Sequence, residues 1–444
     1  MRRPSVILAC LCSMYFLLAA APAAAAGDTA ASFARQTLPA NDGWAAFSTG
    51  TSGGSAAVPE NVRTVQTRAE LVNALTELGS TPKIIQIKGT INANVDDNNQ
   101  PLTCADYQRD GYTLEAYLAA FDPAVWGRDR EPSGPLEDAR VASQRAQSDR
   151  ISIPVGSNTT LVGLGDDARL VGAQVRLDNV DNVIIRNLRM SDAFDCFPQW
   201  DPTDGAEGNW NSEYDNIALR GSTHVWVDHN RLDDGDHRDT AQPIYFGRPF
   251  VVHDGLLDIT NASDLVTASW NQLGDHDKTM LIGSSDSRVS DRGKLRVTLH
   301  HNLFQNLGQR VPRVRFGQVH VYNNFYDITD AETYVYSWGV GIESQIFAEN
   351  NFFRAVSGVT PADLISVFKG TTILARGTLF NAFSGNAQVD VVAAYNATHD
   401  PDLIPTVGWT PTLFLNVQPT AAVPALVEFF AGPRLAVLGG HALP

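Results

Sequence analysis

The sequence predicts an all-β chain wound as a right-handed parallel β-helix, with a short N-terminal capping helix and long decorating loops. Two observations carry this. The first is a weak repeat that starts near residue 150, in which short β-branched stretches end in Asn followed by an apolar residue. The units are VIIRNL (Asn187), VWVDHNRL (Asn230), VTASWNQL (Asn271), VTLHHNLF (Asn302), VHVYNNFY (Asn324) and IFAENNFF (Asn351). The second is the alternation of apolar residues inside each unit, the period-two signature of a strand. Repeats of a few tens of residues that hold strands and not helices describe a coil of parallel strands. The Asn-to-Asn steps are 43, 41, 31, 22 and 27 residues, so the long ones are either two turns or one turn with a long loop. An Asn at each bend tolerates left-handed backbone and bonds to its counterpart one turn away. A sandwich would show turn signals about every 8–12 residues, and a propeller a steadier period.

The remaining elements follow in chain order. Arg2 and Arg3, the apolar run Val6 to Ala21 and the small residues Ala24-Ala25-Ala26 form the three parts of an export signal over residues 1–26. That run is too short to span a bilayer. Residues 27–60 are rich in Ala, Gly, Ser and Thr and read as an irregular lead-in. Residues 61–444 read as a single β-helix domain. Thr67-Arg68-Ala69-Glu70 is a capping-box pattern opening a short helix through Leu71, Leu75 and Leu78. Strand-like Ile84 to Ile87 follows and stops at Gly89. Residues 90–150 are polar and read as a long loop with some helix around Tyr112 to Phe121.

Removal of residues 1–26 leaves 418 residues, a size that a solenoid accommodates because each repeat packs only on its neighbours. The mature chain carries 31 basic and 49 acidic residues, a balance of −18. Such a chain repels nucleic acid and anionic membrane. It also repels acidic polysaccharide unless bound cations and a local basic patch reverse the field. Two cysteines remain, Cys104 and Cys196; an even pair in an exported chain points to a disulfide, the alternative being two buried thiols.

Four stretches place charge where a core strand should be apolar: Glu213-Tyr214-Asp215, Asp254 to Asp258, Asp275 to Lys278, and Arg310 to Arg315. Residues four apart in a strand share a face, so Asp254 and Asp258 should point the same way. Stretches one turn apart in a coil are separated by only about 4.8 Å. Asp215, Asp258, Lys278 and Arg310 therefore belong to one surface. Three converging carboxylates suit Ca²⁺, which takes oxygen ligands and leaves positions for water or substrate. Arg288, Arg292, Lys294, Arg296, Arg310, Arg313 and Arg315 form a basic cluster able to hold a polyanion by bidentate pairing with carboxylates. Simple ion pairing is the plainer account of Arg288, Arg292 and Arg296.

The stretches VWVDHN (225–230), HDGLLDI (253–259), DHDKTMLIGSSDS (275–287) and RVPRVRFGQVHVYNN (310–324) resemble the hallmark segments of polysaccharide lyase family 1, the pectate lyases. The resemblance runs over roughly 150–355. It implies a calcium site on a right-handed parallel β-helix, with Asp215, Asp254 and Asp258 as ligands and Glu213 as a fourth. It further implies Arg310 as the base, Lys278 beside it, and Lys278, Arg313 and Arg315 on substrate carboxylates. Asp228 and His229 fall in the family's WVDH motif and read as buried polar support for the adjacent turn.

The implied chemistry is β-elimination on polygalacturonate: a proton leaves C5, next to the carboxylate, and the C4 oxygen departs. Calcium and cationic side chains stabilise the charge that develops. An arginine stays protonated above about pH 12, so the role of base requires a depressed pKa and predicts an alkaline optimum. A pectin lyase acting on methylated polymer would need no acidic cluster. A hydrolase would need paired carboxylates spaced to activate water. A non-catalytic polysaccharide-binding β-helix would need neither Arg310 nor Lys278. The sequence thus reads as a secreted, monomeric, calcium-dependent pectate lyase.

Overall fold

The computed structural model describes residues 32–382 and 385–434. The export signal lies outside the described residues. Among the described residues no helix is long and apolar enough to cross a membrane.

Parallel strands dominate, and they repeat as three per turn. One face is an eight-stranded sheet of short strands stacked in strict order: Ser152–Pro154, Gln174–Asp178, Ile217–Arg220, Leu257–Thr260, Leu281–Ile282, Arg313–Val314, Trp338–Gly341 and Ile365–Phe368. A larger sheet holds the other two strands of each turn, as in Thr223–Asp228 followed by Arg231–Asp233. Inward-pointing Val, Ile and Leu from every turn form one continuous apolar core. Strand Thr223–Asp228 pairs directly with Asp181–Arg186 before it and Asp264–Ser269 after it. The 43- and 41-residue Asn steps are therefore single turns interrupted by long loops.

The Asn ladder exists, displaced by one residue from the predicted geometry. Asn230, Asn271, Asn302, Asn324 and Asn351 are buried. Each donates from Nδ2 to a carbonyl one turn back, Asn271 to Val227 at 2.9 Å and Asn302 to Ala268 at 2.9 Å. From Asn271 onward each Oδ1 accepts the backbone N–H of the preceding ladder Asn. The left-handed residue is the one before: His229, Trp270, His301, Asn323 and Asn350 all have φ of 50–55°. Asn187 takes that left-handed place (φ 55°), and Leu188 occupies the ladder position above Asn230.

The capping helix is Arg68–Leu78, with Thr67 and Glu70 making the reciprocal bonds and Leu71, Ala74 and Leu75 buried over the end of the coil. The strand after it is longer than predicted. It runs Lys83–Asn92 straight through Gly89 (φ 69°), opposite a bulge in the partner strand Thr159–Val171, where Lys88 pairs with Leu164 and Thr90 with Arg169. Residues 90–150 hold the helix Leu114–Phe121 and also a 17-residue helix, Pro135–Ile151, which polarity concealed: it buries Glu137, Arg140, Ser143 and Gln147. Tyr117 donates to Glu137 (2.9 Å), and Arg140 pairs with Glu137 while donating to the Phe197 carbonyl (2.7 Å). These loops form a second aromatic core around Tyr117, Phe197, Trp200 and Trp210. Cys104 and Cys196 are joined there by a disulfide.

The lead-in crosses the outside of the larger sheet. Backbone N–H groups of Gly54, Ala45 and Trp44 donate to the hydroxyls of Thr160, Thr267 and Thr298 at 2.9, 3.1 and 3.0 Å. At the far end, helix Val391–Asn396 buries Val391, Val392 and Tyr395 in the main core. Helix Val423–Phe430 covers Leu303, Phe325 and Phe352.

Candidate active site

The site lies on the face of the short strands. Asp215 and Asp254 are not strand residues; each sits in the turn that leads into one. Those turns stack: Asp254 N–H donates to the Tyr214 carbonyl (3.2 Å) and Asn216 N–H to the Gly255 carbonyl (3.1 Å). Asp258 follows on the strand Leu257–Thr260, one turn above Ala218. The expected shared strand face of Asp254 and Asp258 is thus replaced by a turn that folds Asp254 back over Asp258. One oxygen from each of Asp215, Asp254 and Asp258 comes within 4.8 Å of the others.

This group is built for a cation. Asp215 Oδ1 is buried without a hydrogen-bond partner. A Cβ added to Gly255 would stand 2.7 Å from both Asp215 Oδ1 and Asp258 Oδ1, so the glycine leaves open the gap that the two oxygens face. Burial, and then the charges of Asp258 and Asp254, push the Asp215 carboxyl well above its ordinary range. Burial and then Asp254 push Asp258 up to about 7, against the pull of the Leu281 N–H and the charges of Arg310 and His276. Three hard oxygens crowded at this cost fit Ca²⁺, which relieves their repulsion. Glu213 is exposed and stands outside the three-carboxylate group.

The cations line up beside it. Lys278 ends the strand Gln272–Lys278, pairs in register with Gln309, and holds Nζ 3.4 Å from Asp254 Oδ1. Arg310 comes directly after Gln309 in left-handed backbone (φ 60°), pinned by Met280 N–H on its carbonyl (2.9 Å). Its Nε is buried without a hydrogen-bond partner. Arg315 is anchored through Nε to Asp286 (2.7 Å) and through Nη1 to the Gly283 carbonyl (2.8 Å). Arg313 lies over the Phe368 ring at 3.9 Å. Burial, followed by the charges of Arg315 and Arg310, lowers its pKa.

Arg292 and Arg296 are ion-paired with Glu343 and Asp264, away from the carboxylates. Asp228 and His229 are fully buried on the larger sheet, where Asp228 binds Arg186 (2.5 Å) and Ser269 (3.0 Å), a structural arrangement. Sequence reading missed Asp286, which accepts from both Arg315 and Lys369 (2.7 Å each), and Lys369 itself. The motif DHDKTMLIGSSDS contains Asp286, but nothing in its spacing pairs it with a residue 29 positions on.

The family model described as pectate lyase matches residues 130–397, more than half of the chain. The chain belongs to the pectate lyases. A pectate lyase of Bacillus subtilis is 50% identical over 411 residues, covering 92% of this chain and 95% of its own length. Pectate lyase E of Dickeya chrysanthemi is 37% identical over 323 residues, covering 72% of this chain and 69% of its own. Among solved structures, a thermostable pectate lyase superimposes with a TM-score of 0.88 at 48% identity, covering 90% of this chain and 98% of that one. A pectate lyase bound to a hexasaccharide gives 0.86 at 48%, covering 90% and 99%. The right-handed parallel β-helix read from the sequence is the fold of this pectate lyase, and the chain is a lyase acting on acidic polysaccharide.

Proposed function

We propose that this pectate lyase is a secreted, calcium-dependent enzyme that cleaves α-1,4-linked polygalacturonate by β-elimination. The observation that carries the reading is the convergence of Asp215, Asp254 and Asp258 beside Lys278 and Arg310 on one face of the coil. Asp215, Asp254 and Asp258 are the calcium ligands, with Glu213 at the rim as a fourth. A calcium ion held there would neutralise the substrate carboxylate and so acidify the adjacent C5 proton. Arg310 accepts that proton, the C5–H electron pair forms the C4–C5 double bond, and the C4–O bond breaks with its pair on the leaving oxygen, which takes a proton from solvent as the new chain end; the other product is a 4,5-unsaturated uronate. Lys278 stabilises the carboxylate as charge builds on it, while Arg313 and Arg315 hold further carboxylates. Residues 61–444 act as one catalytic domain, working as a monomer. A pectin lyase on methylated polymer, or a β-helix that only binds, accounts less well for the three convergent carboxylates with Lys278 and the unpartnered Arg310 Nε beside them.

The test is ultraviolet absorbance during incubation with polygalacturonate, with added Ca²⁺ and with excess chelator. Growth of the unsaturated-uronate band that chelator abolishes is the expected result. Growth that persists in chelator overturns the metal assignment. No growth from neutral to alkaline pH on any polymer overturns catalysis.

A further inference from the structure

The outer surface of the short-strand sheet carries an arginine that the proposed reaction does not use. Arg220 ends the strand Ile217–Arg220, in which Ile217 and Leu219 join the core, so Ala218 and Arg220 point outward. Arg220 is half-buried, yet among the described residues no ion pair and no hydrogen bond takes up its guanidinium. The acid nearest in register, Asp178 one turn back, is held by Arg176 (2.5 Å). One turn ahead stands Thr260, whose hydroxyl donates to the Leu219 carbonyl (3.2 Å). In a chain of net charge −16, a guanidinium left without an acid partner is open to an anion from solution.

Arg220 also stands in line with the other cations. It pairs in register with Thr260; Ile259 pairs with Ile282, and Ile282 with Val314. The Gly283 N–H donates to the Ile259 carbonyl and the Arg315 N–H to the Ile282 carbonyl, which continues the register by one residue. Arg220, Thr260, Gly283 and Arg315 therefore form one outward row. Three steps of about 4.8 Å put the two arginines about 14 Å apart. Only the buried Thr260 and Gly283 lie between them, so the row is a shallow trough with a guanidinium at either end. The three-aspartate pocket opens beside its middle, since Asp258 lies two residues before Thr260 on the same strand. Burial and the charges of Asp258 and Asp254 push the Asp215 carboxyl up, and the Arg220 charge pulls it back, so the guanidinium lies within electrostatic reach of the pocket.

We propose that Arg220 binds a substrate carboxylate on the side of the pocket away from Arg315, and so selects for unesterified uronate at that place along the polymer. The inference rests on the function proposed above and names a determinant of its substrate preference. A polygalacturonate chain carries one carboxylate per sugar, so a chain laid from Arg315 past the pocket presents one to Arg220. A carboxylate pairs with the guanidinium fork through both oxygens, whereas a methyl ester brings no charge. The two arginines clamp the chain on either side of the pocket. A role confined to offsetting the three aspartates would move the calcium midpoint and leave substrate affinity unchanged.

The experiment uses the full chain at saturating Ca²⁺. On polygalacturonate, Arg220→Gln should raise KM about tenfold with kcat within about twofold, and the penalty should shrink as methylation of the polymer rises. Arg220→Lys, which keeps the charge and loses the fork, should cost about threefold. Binding is read without turnover in an Arg310→Ala background, by calorimetric titration with saturated hexagalacturonate, where Arg220→Gln should weaken affinity about tenfold. KM and hexamer affinity that Arg220→Gln leaves unchanged overturn the proposal, as does a penalty independent of methylation. If Arg220→Gln fails to fold by circular dichroism, Arg220→Lys decides. Wild-type protein that binds the hexamer without cleaving it overturns the function proposed above, and the binding comparison still decides the role of Arg220.

Discussion

Replacing Gly255 by Ala puts a methyl group into the gap between two carboxylates. The added Cβ would stand 2.7 Å from Asp215 Oδ1 and 2.7 Å from Asp258 Oδ1, where ordinary contact begins at 3.4 Å. Each oxygen must therefore retreat by about 0.7 Å. Calcium–oxygen bonds occupy a window only about 0.3 Å wide, from about 2.3 to 2.6 Å. Neither ligand can retreat that far and still coordinate in the same geometry. Gly255 has ordinary negative φ, so alanine strains no backbone and the metal-free fold survives. Disturbing ligand geometry in this way costs about 100-fold in affinity, or about 2.7 kcal/mol. Calorimetric titration should show the loss, and the calcium concentration for half-maximal activity should rise by the same factor while the rate at saturating calcium is recovered. An unchanged calcium midpoint would refute the assignment of this gap as the metal position.

Asp286→Ala removes the charged one of the two anchors of Arg315 and leaves only the Gly283 carbonyl, so KM for polygalacturonate should rise about tenfold with little change in kcat. Asp286→Asn, which can still accept from Nε, should recover much of it. Asn271→Ala removes two donated and two accepted bonds in a fully buried place; guanidinium unfolding should show a loss of about 3 kcal/mol, and a loss under about 1 kcal/mol would deny the ladder its role. The pH dependence of the chelated protein follows from Asp258 and Asp215. Their folded pKa values lie above the unfolded ones, so their favourable contribution is complete below about pH 4 and is lost as pH rises through about 7. Chelated enzyme should melt at a lower temperature at pH 8 than at pH 5, and added calcium should narrow the difference; an equal or higher melting temperature at pH 8 would contradict it.

What the sequence made legible was whatever depends on spacing along one strand or one turn. The Asn units gave the coil, and the charged interruptions at Asp215, Asp258, Lys278 and Arg310 marked the face where they meet. The capping box at Thr67 gave the terminal helix. What stayed hidden depends on partners distant in sequence. Helix Pro135–Ile151 was invisible because its buried side, Glu137, Arg140 and Gln147, is satisfied by Tyr117, Phe197 and Phe194 across a loop core. The ladder was read one residue early at Asn187, because an Asn fits the left-handed slot as readily as the ladder slot. Asp286 meets Arg315 and Lys369 only through loops whose paths no periodicity reveals.

The lead-in that crosses the threonine hydroxyls has a mechanical consequence. A stack of near-independent turns can fray from its ends or part in the middle, each break exposing only two faces. Backbone from residues 44–54 is bolted to the turn containing Thr160, to that containing Thr267 and to that containing Thr298. No turn between these can separate without tearing the bolt loose from its neighbours. The middle of the coil, where the carboxylates and cations must hold register across four successive turns, is thereby made to open all at once or not at all.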